Sequence, residues 1–176
     1  MTVLVLTQQF DPTADLVIEA LAARGERLFR CDAADFPERL VLFADLDGGW
    51  TGELRTDCRT IALESVHAVY YRRPSRFEFA EGMSSTERRF AAAEARLGFG
   101  GIVASLPCVW LNHPHRISEA EYKPVQLAAA VRCGLRVPRT IVTNDPQRAR
   151  AFTMSCPSGW CINRCPGAPA AKMGSP

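Results

Sequence analysis

The 176-residue sequence has no long hydrophobic run and no strong excess of charge of one sign. The N-terminal run TVLVL, residues 2–6, lacks both the basic segment and the small-residue cleavage site of a signal peptide. No apolar segment approaches the roughly 20 residues that a membrane span needs. The formal net charge of +2 is too small to indicate nucleic acid or a membrane surface as a partner. We therefore expect a cytoplasmic protein.

The sequence also lacks the spacings of disulfide frameworks and metal centres. Its seven cysteines are an odd number and are scattered, which is typical of reduced thiols. Cys156, Cys161 and Cys165 lie closest together, but they have no fourth ligand and match a zinc site poorly. His113 and His115 have no nearby cysteine or carboxylate ligands. With no G-x-S-x-G, H-E-x-x-H or P-loop motif either, we assign no catalytic or metal-ligating residue.

What the sequence does contain is the opening pattern of an α/β fold. Residues 2–6 are β-branched and leucine residues in a continuous run, which is typical of a buried parallel strand. Residues 11–25 predict a helix with Leu16 on its apolar face, and residues 27–32 predict a second strand. This β-α-β order predicts parallel strands joined by a right-handed crossover.

The next segment predicts a different kind of structure. Residues 39–57 hold two strand-like stretches around Asp-Gly-Gly, the strongest hairpin signal in the sequence. Residues 59–74 predict a short strand or loop and then a buried strand. Residues 84–106 predict a long helix, with Ser84 and the glutamate three residues later as a capping box. Residues 108–114 predict the last strand of this region.

The His-Pro-His sequence suggests a domain boundary near residues 113–116. Residues 1–113 are therefore predicted to form an α/β domain with a mostly parallel sheet and one antiparallel hairpin. Residues 156–176 are rich in Cys, Pro, Gly and Ser, and predict a tail that folds poorly by itself.

Lysine is the scarcest charged residue: only Lys123 and Lys172 accompany 19 arginines. Pro124 suits the first position of a helix, and Gly134 suits its end, so Lys123 is predicted at a helix N-terminus. Free amide hydrogens and a partial positive charge gather there, and a lysine adds a point charge suited to phosphate. An exposed lysine without a ligand remains the other interpretation.

Arg72 and Arg73 follow a predicted buried strand at its carboxyl end, where open α/β sheets bind their ligands. Because adjacent residues point in different directions, one arginine can face a substrate and the other a carboxylate. We predict substrate binding for both, with a structural salt bridge as the alternative for each. Asp32 ends the second predicted strand, but no glycine-rich turn follows the first, which disfavours a nicotinamide site.

Two patterns in the sequence resemble a known family. Residues 112–152 resemble the junction at which ATP-grasp ligases begin their nucleotide-binding domain, with Gly134, Pro138 and Thr140 in a G-x-x-x-P-x-T turn. Residues 68–74, AVYYRRP, resemble more narrowly the ATP-grasp maturases of ribosomally made peptides, the graspetide or microviridin-type synthetases. Their N-terminal part is a Rossmann-like, MvdD-type pre-ATP-grasp domain.

The resemblance implies roles for two basic residues. Lys123 matches a lysine that contacts the phosphates of ATP, and Arg164 stands where a second lysine would lie on a strand at residues 159–165. An arginine fork is not equivalent to a lysine point charge at such a position. Residues 114–155 would then be the start of the ATP-grasp domain, as a helix, a strand and a helix.

The resemblance also implies an activity. The intact family uses ATP and Mg²⁺ to activate a side-chain carboxylate of a precursor peptide as an acyl phosphate, and forms ester or amide links. The family is about twice this length, so we expect a C-terminally truncated chain that is inactive alone. A non-catalytic pre-ATP-grasp module for peptide binding or homodimer formation is the alternative.

Overall fold

The computed structural model describes residues 1–156 and Gly159. Its first compact unit is Met1–Ile117, and its second begins at Ser118. The strands and helices are, in chain order, β1 (Thr2–Thr7), α1 (Pro12–Ala22), β2 (Arg27–Cys31), β3 (Val41–Leu46), β4 (Trp50–Arg55), β5 (Thr60–Ala62), β6 (Val66–Arg72), α2 (Ser85–Ser105), β7 (Val109–Leu111), α3 (Pro114–Ala120), α4 (Lys123–Arg132) and α5 (Pro146–Met154). None of these helices is long and apolar enough to span a membrane.

The first unit is built on a parallel sheet in the order β2-β1-β6-β7. β1 lies inside this sheet and every one of its residues is buried, as a continuous apolar run between two neighbouring strands requires. The predicted α/β class with a parallel sheet is therefore confirmed.

The hairpin predicted around Asp-Gly-Gly is also confirmed, with β3 and β4 paired antiparallel. Gly48 occupies the turn at φ 71°, a left-handed conformation that glycine adopts without steric cost. The short segment that follows becomes β5, so the hairpin grows into a separate antiparallel sheet in the order β3-β4-β5. From the sequence, this segment was predicted to be either a short strand or a loop.

The core of the first unit lies between the two sheets and α2. Residues from all three parts form one buried cluster, and full burial of each such side chain stabilises the fold by about 1.5–3 kcal/mol. The cluster contains Leu4, Leu6, Phe29, Cys31, Leu40, Leu54, Leu63, Val66, Val69, Phe99, Val103 and Leu106.

Capping side chains set where the helices begin. Ser84 and Glu87 form the predicted capping box of α2, each bonding the other's backbone N–H. Asp11 caps α1, which was not predicted. The buried face of α1 was also misassigned, because Leu16 is 67% exposed and Ala14 is the buried residue.

The second unit corrects one expectation. Residues 135–144, where the resemblance implied a strand, form no regular secondary structure between α4 and α5. A strand exists only by pairing with another, and the part of this unit that the structure describes contains helices alone. The strand expected at residues 159–165 and the tail at 156–176 lie outside the described residues, apart from Cys156 and Gly159.

Gly52 provides a test of the antiparallel sheet. Its φ of 142° is strained for any L-residue, and an added Cβ would lie 2.1 Å from the Phe43 carbonyl oxygen. Since the atoms that the Cβ would meet belong to the β3 backbone and cannot rotate aside, Gly52→Ala should lower the free energy of unfolding by about 2 kcal/mol or more, measured by urea denaturation. Gly100→Ala in α2 is the control: its Cβ meets nothing within 4 Å, and it should stabilise by about 0.5–1 kcal/mol. Equal stability of the two variants would contradict the assigned geometry.

Candidate functional site

The carboxyl ends of the parallel strands open onto a cleft of about 910 Å³. The β1–α1 loop, the turn after β2 and the loop after β6 contribute to its lining, through residues such as Gln9, Asp32 and Ser75. In the order β2-β1-β6-β7 the connections diverge from between β1 and β6. Ligands of open α/β sheets bind in the crevice at such a point.

A buried carboxylate, Asp11, joins three elements at this edge. It is 4% exposed and accepts a hydrogen bond from the Thr7 hydroxyl at the end of β1, 2.8 Å away. It also accepts from the Nε of Arg72 at the end of β6, at 3.0 Å, and from the amides of Thr13 and Ala14 in α1. The Thr7 bond lowers the pKa of Asp11 most; burial opposes it, and the Ala14 amide and Arg72 lower it further. The carboxylate is therefore ionised at neutral pH.

The two adjacent arginines have different environments. The Arg72 guanidinium pairs with the Asp11 carboxylate, so Arg72 forms the structural salt bridge that was its alternative to substrate binding. Arg73 is exposed, with φ 47°, which is uncommon for a residue other than glycine. It makes no hydrogen bond or ion pair with any residue that the structure describes. Of the predicted pair, Arg73 alone has a free guanidinium.

Asp32 also has a structural part at the cleft. It is 7% exposed, and its Oδ1 accepts the amide N–H of Ser75 at 2.7 Å, which ties the loop after β6 to the end of β2. Its own N–H donates to Asp35 in a capping box around a 3₁₀ turn, Ala33–Asp35. Because its carboxylate and its backbone N–H are both bonded, Asp32 anchors the loop after β6. This structural role agrees with the absence of a glycine-rich turn after β1.

The cationic groups lining the cleft are paired within it. Arg30 donates to Asp15 at 2.6 Å and to the backbone carbonyls of Gln8 and Gln9, which fixes the β1–α1 loop. Arg39 donates to Asp35 at 3.0 Å. Both arginines that line the cleft are therefore engaged by neighbouring groups.

Lys123 lies in the second unit, at the first residue of α4, one residue before the predicted start. Its side chain is exposed, and its Nζ donates to the Gln126 amide oxygen at 3.1 Å. Tyr122 precedes the helix and provides no side-chain cap, so the first amides of α4 have no such partner. A helix start with a lysine held by one neutral group can accept an anion. Arg164 lies outside the described residues.

The histidines after β7 pack against each other and against Trp110 in tilted and edge-on ring contacts. Ring centroids are 4.6 Å apart for Trp110 and His113, and 5.0 Å for His113 and His115. Within residues 1–156 and Gly159, no group of three His, Cys, Asp or Glu side chains could hold a metal ion.

Fold and site together define a class. A parallel sheet with an appended antiparallel sheet, followed by a helix that opens with an exposed lysine, is the arrangement expected of a domain that precedes an ATP-grasp fold. The chain belongs to the MvdD pre-ATP grasp domain family, whose model matches residues 2–118. No curated protein matches the sequence.

Solved structures similar to the chain include a macrocyclase and ATP-grasp ligases in complex with peptides. The macrocyclase MdnC of Microcystis aeruginosa MRC, bound with precursor peptide MdnA, is 31% identical with a TM-score of 0.82, over 88% of this chain and 51% of that one. A RiPP-associated ATP-grasp ligase of Chryseobacterium gregarium, in complex with ADP and a leader and core peptide, is 27% identical with a TM-score of 0.80, over 88% and 47%. The ligase PsnB with a phosphomimetic variant of minimal precursor, Mg and ADP is 25% identical with a TM-score of 0.65, over 92% and 56%. The chain thus spans about half the length of these relatives.

The lowered pKa of Asp11 has a consequence for stability. A carboxyl whose pKa is lower in the folded protein stabilises it above the unfolded pKa, near 3.8, and this stabilisation is lost as pH falls through the folded pKa. Asp11→Asn retains a capping side chain but not the charge, so it should be less stable than wild type at pH 7. The difference should shrink as pH falls through the unfolded pKa, near 3.8, and then through the lower folded pKa. Thermal denaturation across that range measures it.

Asp57→Asn is the matched control, because Asp57 is exposed in a loop and has no side-chain partner among the described residues. It should change stability little at pH 7. A difference between wild type and Asp11→Asn that stays constant down to pH 2 would contradict the ionised, bonded carboxylate.

Proposed function

We propose that the chain is the N-terminal portion of an ATP-grasp ligase that forms side-chain ester or amide links in a ribosomally made precursor peptide. In such a reaction ATP phosphorylates a peptide carboxylate, and a hydroxyl or amine of the same peptide displaces the phosphate. Membership of the MvdD family and likeness to ligases solved with precursor peptides support this proposal.

The observation that carries the ATP part is the geometry of Lys123. A compact cation stands exposed at the start of a helix whose first amides lack a capping side chain. These donors and the helix dipole favour an anion with several oxygens, as in the phosphates of a nucleotide. Arg164 is the second phosphate contact in this proposal, on its sequence position alone.

The described residues fit one wall of a nucleotide site and provide no magnesium ligand paired with Lys123. Phosphate-bound Mg²⁺ needs one or two carboxylates close to the phosphates, whereas the Lys123 amine bonds the Gln126 amide oxygen and no carboxylate among the described residues. In this proposal other carboxylates of the intact ligase would hold the Mg²⁺. ATP and Mg²⁺ remain the proposed cofactors of the intact ligase.

Arg73 is the proposed contact for the precursor peptide. Its guanidinium is exposed, always charged and unpaired among the described residues, and its planar fork matches a carboxylate. A peptide whose acidic side chains are modified offers such groups. Arg72 serves the same surface indirectly, because its bond to Asp11 fixes the end of β6.

We also propose a cytoplasmic location. The described cysteines Cys31, Cys58, Cys108, Cys133 and Cys156 are all free thiols, which is usual in reducing compartments.

The phosphate proposal predicts weak, localised nucleotide binding by residues 1–176. An exposed charge at a helix start contributes on the order of 1 kcal/mol, whereas micromolar binding needs about 8 kcal/mol. Titration of ¹⁵N-labelled protein with Mg-ATP should therefore shift the amide signals of Lys123, Val125 and Gln126 at millimolar concentrations. Lys123→Ala should reduce those shifts, and Arg132→Ala at the other end of α4 should not.

Two outcomes would contradict this account. Shifts that are unchanged in Lys123→Ala would remove the phosphate role. A micromolar dissociation constant by isothermal titration, weakened about tenfold or more by Lys123→Ala, would show a usable site in these residues and end the view that they are inactive alone.

A further inference from the structure

The cleft at the carboxyl edge of the parallel sheet has more carboxylates than the cations beside them neutralise. Its charged lining residues are Asp32, Asp35, Glu78, Arg30 and Arg39. Arg30 pairs at 2.6 Å with Asp15, which lies outside this lining. Arg39 donates to Asp35 at 3.0 Å and lies 3.9 Å from Glu78. One arginine therefore remains to balance three carboxylates.

Asp32 has one carboxylate oxygen that is still open to a ligand. Its Oδ1 accepts the backbone N–H of Ser75 at 2.7 Å and that of Ala34 at 3.5 Å. Its Oδ2 accepts no hydrogen bond from any residue that the structure describes. Asp32 is only 7% exposed and lines the cleft. A buried carboxylate oxygen is costly to leave unbonded, so Oδ2 favours a donor that enters the cleft.

The Cys31 thiol lies in the same negative field. Burial raises the pKa of this thiol, and the carboxylates of Asp35 and Asp32 raise it further. Carboxylates disfavour a second negative charge near them when no cation balances them fully. The field that opposes the thiolate would stabilise a cation in the cleft.

The single open oxygen favours an ammonium over a guanidinium. A guanidinium fork binds best to both oxygens of one carboxylate, whereas the three donors of an ammonium each take one acceptor. Gln8 lines the same cleft with a second acceptor, because its Nε2 donates to the Phe10 carbonyl and its Oε1 accepts no bond from a described residue. Phe10, 79% exposed, offers an apolar ring for the methylene stem of a lysine.

We propose that this cleft binds the side-chain ammonium of a lysine residue, with Asp32 Oδ2 as its main acceptor and Glu78 as a second carboxylate. That the lysine belongs to a precursor peptide rests on the proposed function, in which an amine of the peptide can form an amide link. The recognition of the ammonium rests on the cleft alone and involves neither Lys123 nor ATP.

Titration of the ¹⁵N-labelled chain with Nα-acetyl-L-lysine amide, without nucleotide, tests this inference. The Ser75 amide signal is the reporter, because its N–H donates to the other oxygen of Asp32. It should shift with a dissociation constant in the millimolar range. Nα-acetyl-L-norleucine amide has the same four-carbon stem without the ammonium and should bind about tenfold more weakly or less. Nα-acetyl-L-arginine amide should bind about threefold more weakly.

Two variants locate the site. Asp32→Asn removes the charge but keeps an oxygen for the Ser75 amide, and should weaken lysine binding about tenfold. Glu78→Gln changes a side chain that is 69% exposed, so the fold tolerates it, and should weaken binding about threefold. Glu19→Gln is the matched control, because Glu19 is exposed on α1 and outside the cleft. It should leave binding unchanged. Circular dichroism checks each fold, and Glu78→Gln alone decides if Asp32→Asn is unfolded.

Four results would overturn the proposal. They are a Ser75 signal that does not move up to about 100 mM lysine amide, equal binding of the norleucine amide, equal or tighter binding of the arginine amide, and lysine binding that neither variant weakens. The ligase proposal fails separately, in the Mg-ATP titration with Lys123→Ala. A failure there would leave the ammonium site in place and remove only the precursor peptide as the source of its lysine.

Discussion

The buried Asp11 carboxylate is the interaction on which the carboxyl edge of the parallel sheet depends. It joins the end of β1 through Thr7, the end of β6 through Arg72 and the start of α1 through its amides. A charge that is 4% exposed is costly unless it is fully bonded, and here four donors from three elements supply those bonds. These bonds fix the ends of β1 and β6 and the start of α1 relative to one another.

The bond to Asp11 gives two arginines that are adjacent in sequence different environments. Because Arg72 is drawn inward to Asp11, the chain turns at Arg73 in a left-handed conformation and leaves that guanidinium exposed. Asp32 completes the arrangement by bonding the amide of Ser75. The edge therefore has a bonded network of charged side chains, with the exposed Arg73 beside it.

Much of the fold could be predicted because its signals are local. The apolar run of β1, the Asp-Gly-Gly turn and the Ser84 cap each act over a few residues, and all three predictions are confirmed. Leu16 was misplaced because the apolar pattern of α1 does not reveal which part of the helix meets the sheet. The strand expected at 135–144 depends on a pairing partner, which no local pattern supplies.

The candidate site was less predictable because its contacts are distant in sequence. Asp11 and Arg72 are 61 residues apart, so sequence could place each at a carboxyl edge without pairing them. One missed signal was local: an aspartate directly before a proline is a common helix start, and it identifies Asp11 as a cap. The predicted roles of Lys123, Arg73 and Arg164 in binding remain predictions.

A double-mutant cycle between Asp11 and Arg72 tests the central constraint most directly. The free energy of unfolding would be measured for wild type, Asp11→Asn, Arg72→Met and the double variant at pH 7. If the buried ion pair holds the edge together, the double variant is no less stable than Asp11→Asn alone, since the partner that each single variant leaves unpaired is gone. The same cycle with Arg73→Met should be additive. Additive losses for Asp11 and Arg72 would contradict the account, because they would show that the two groups stabilise the fold independently.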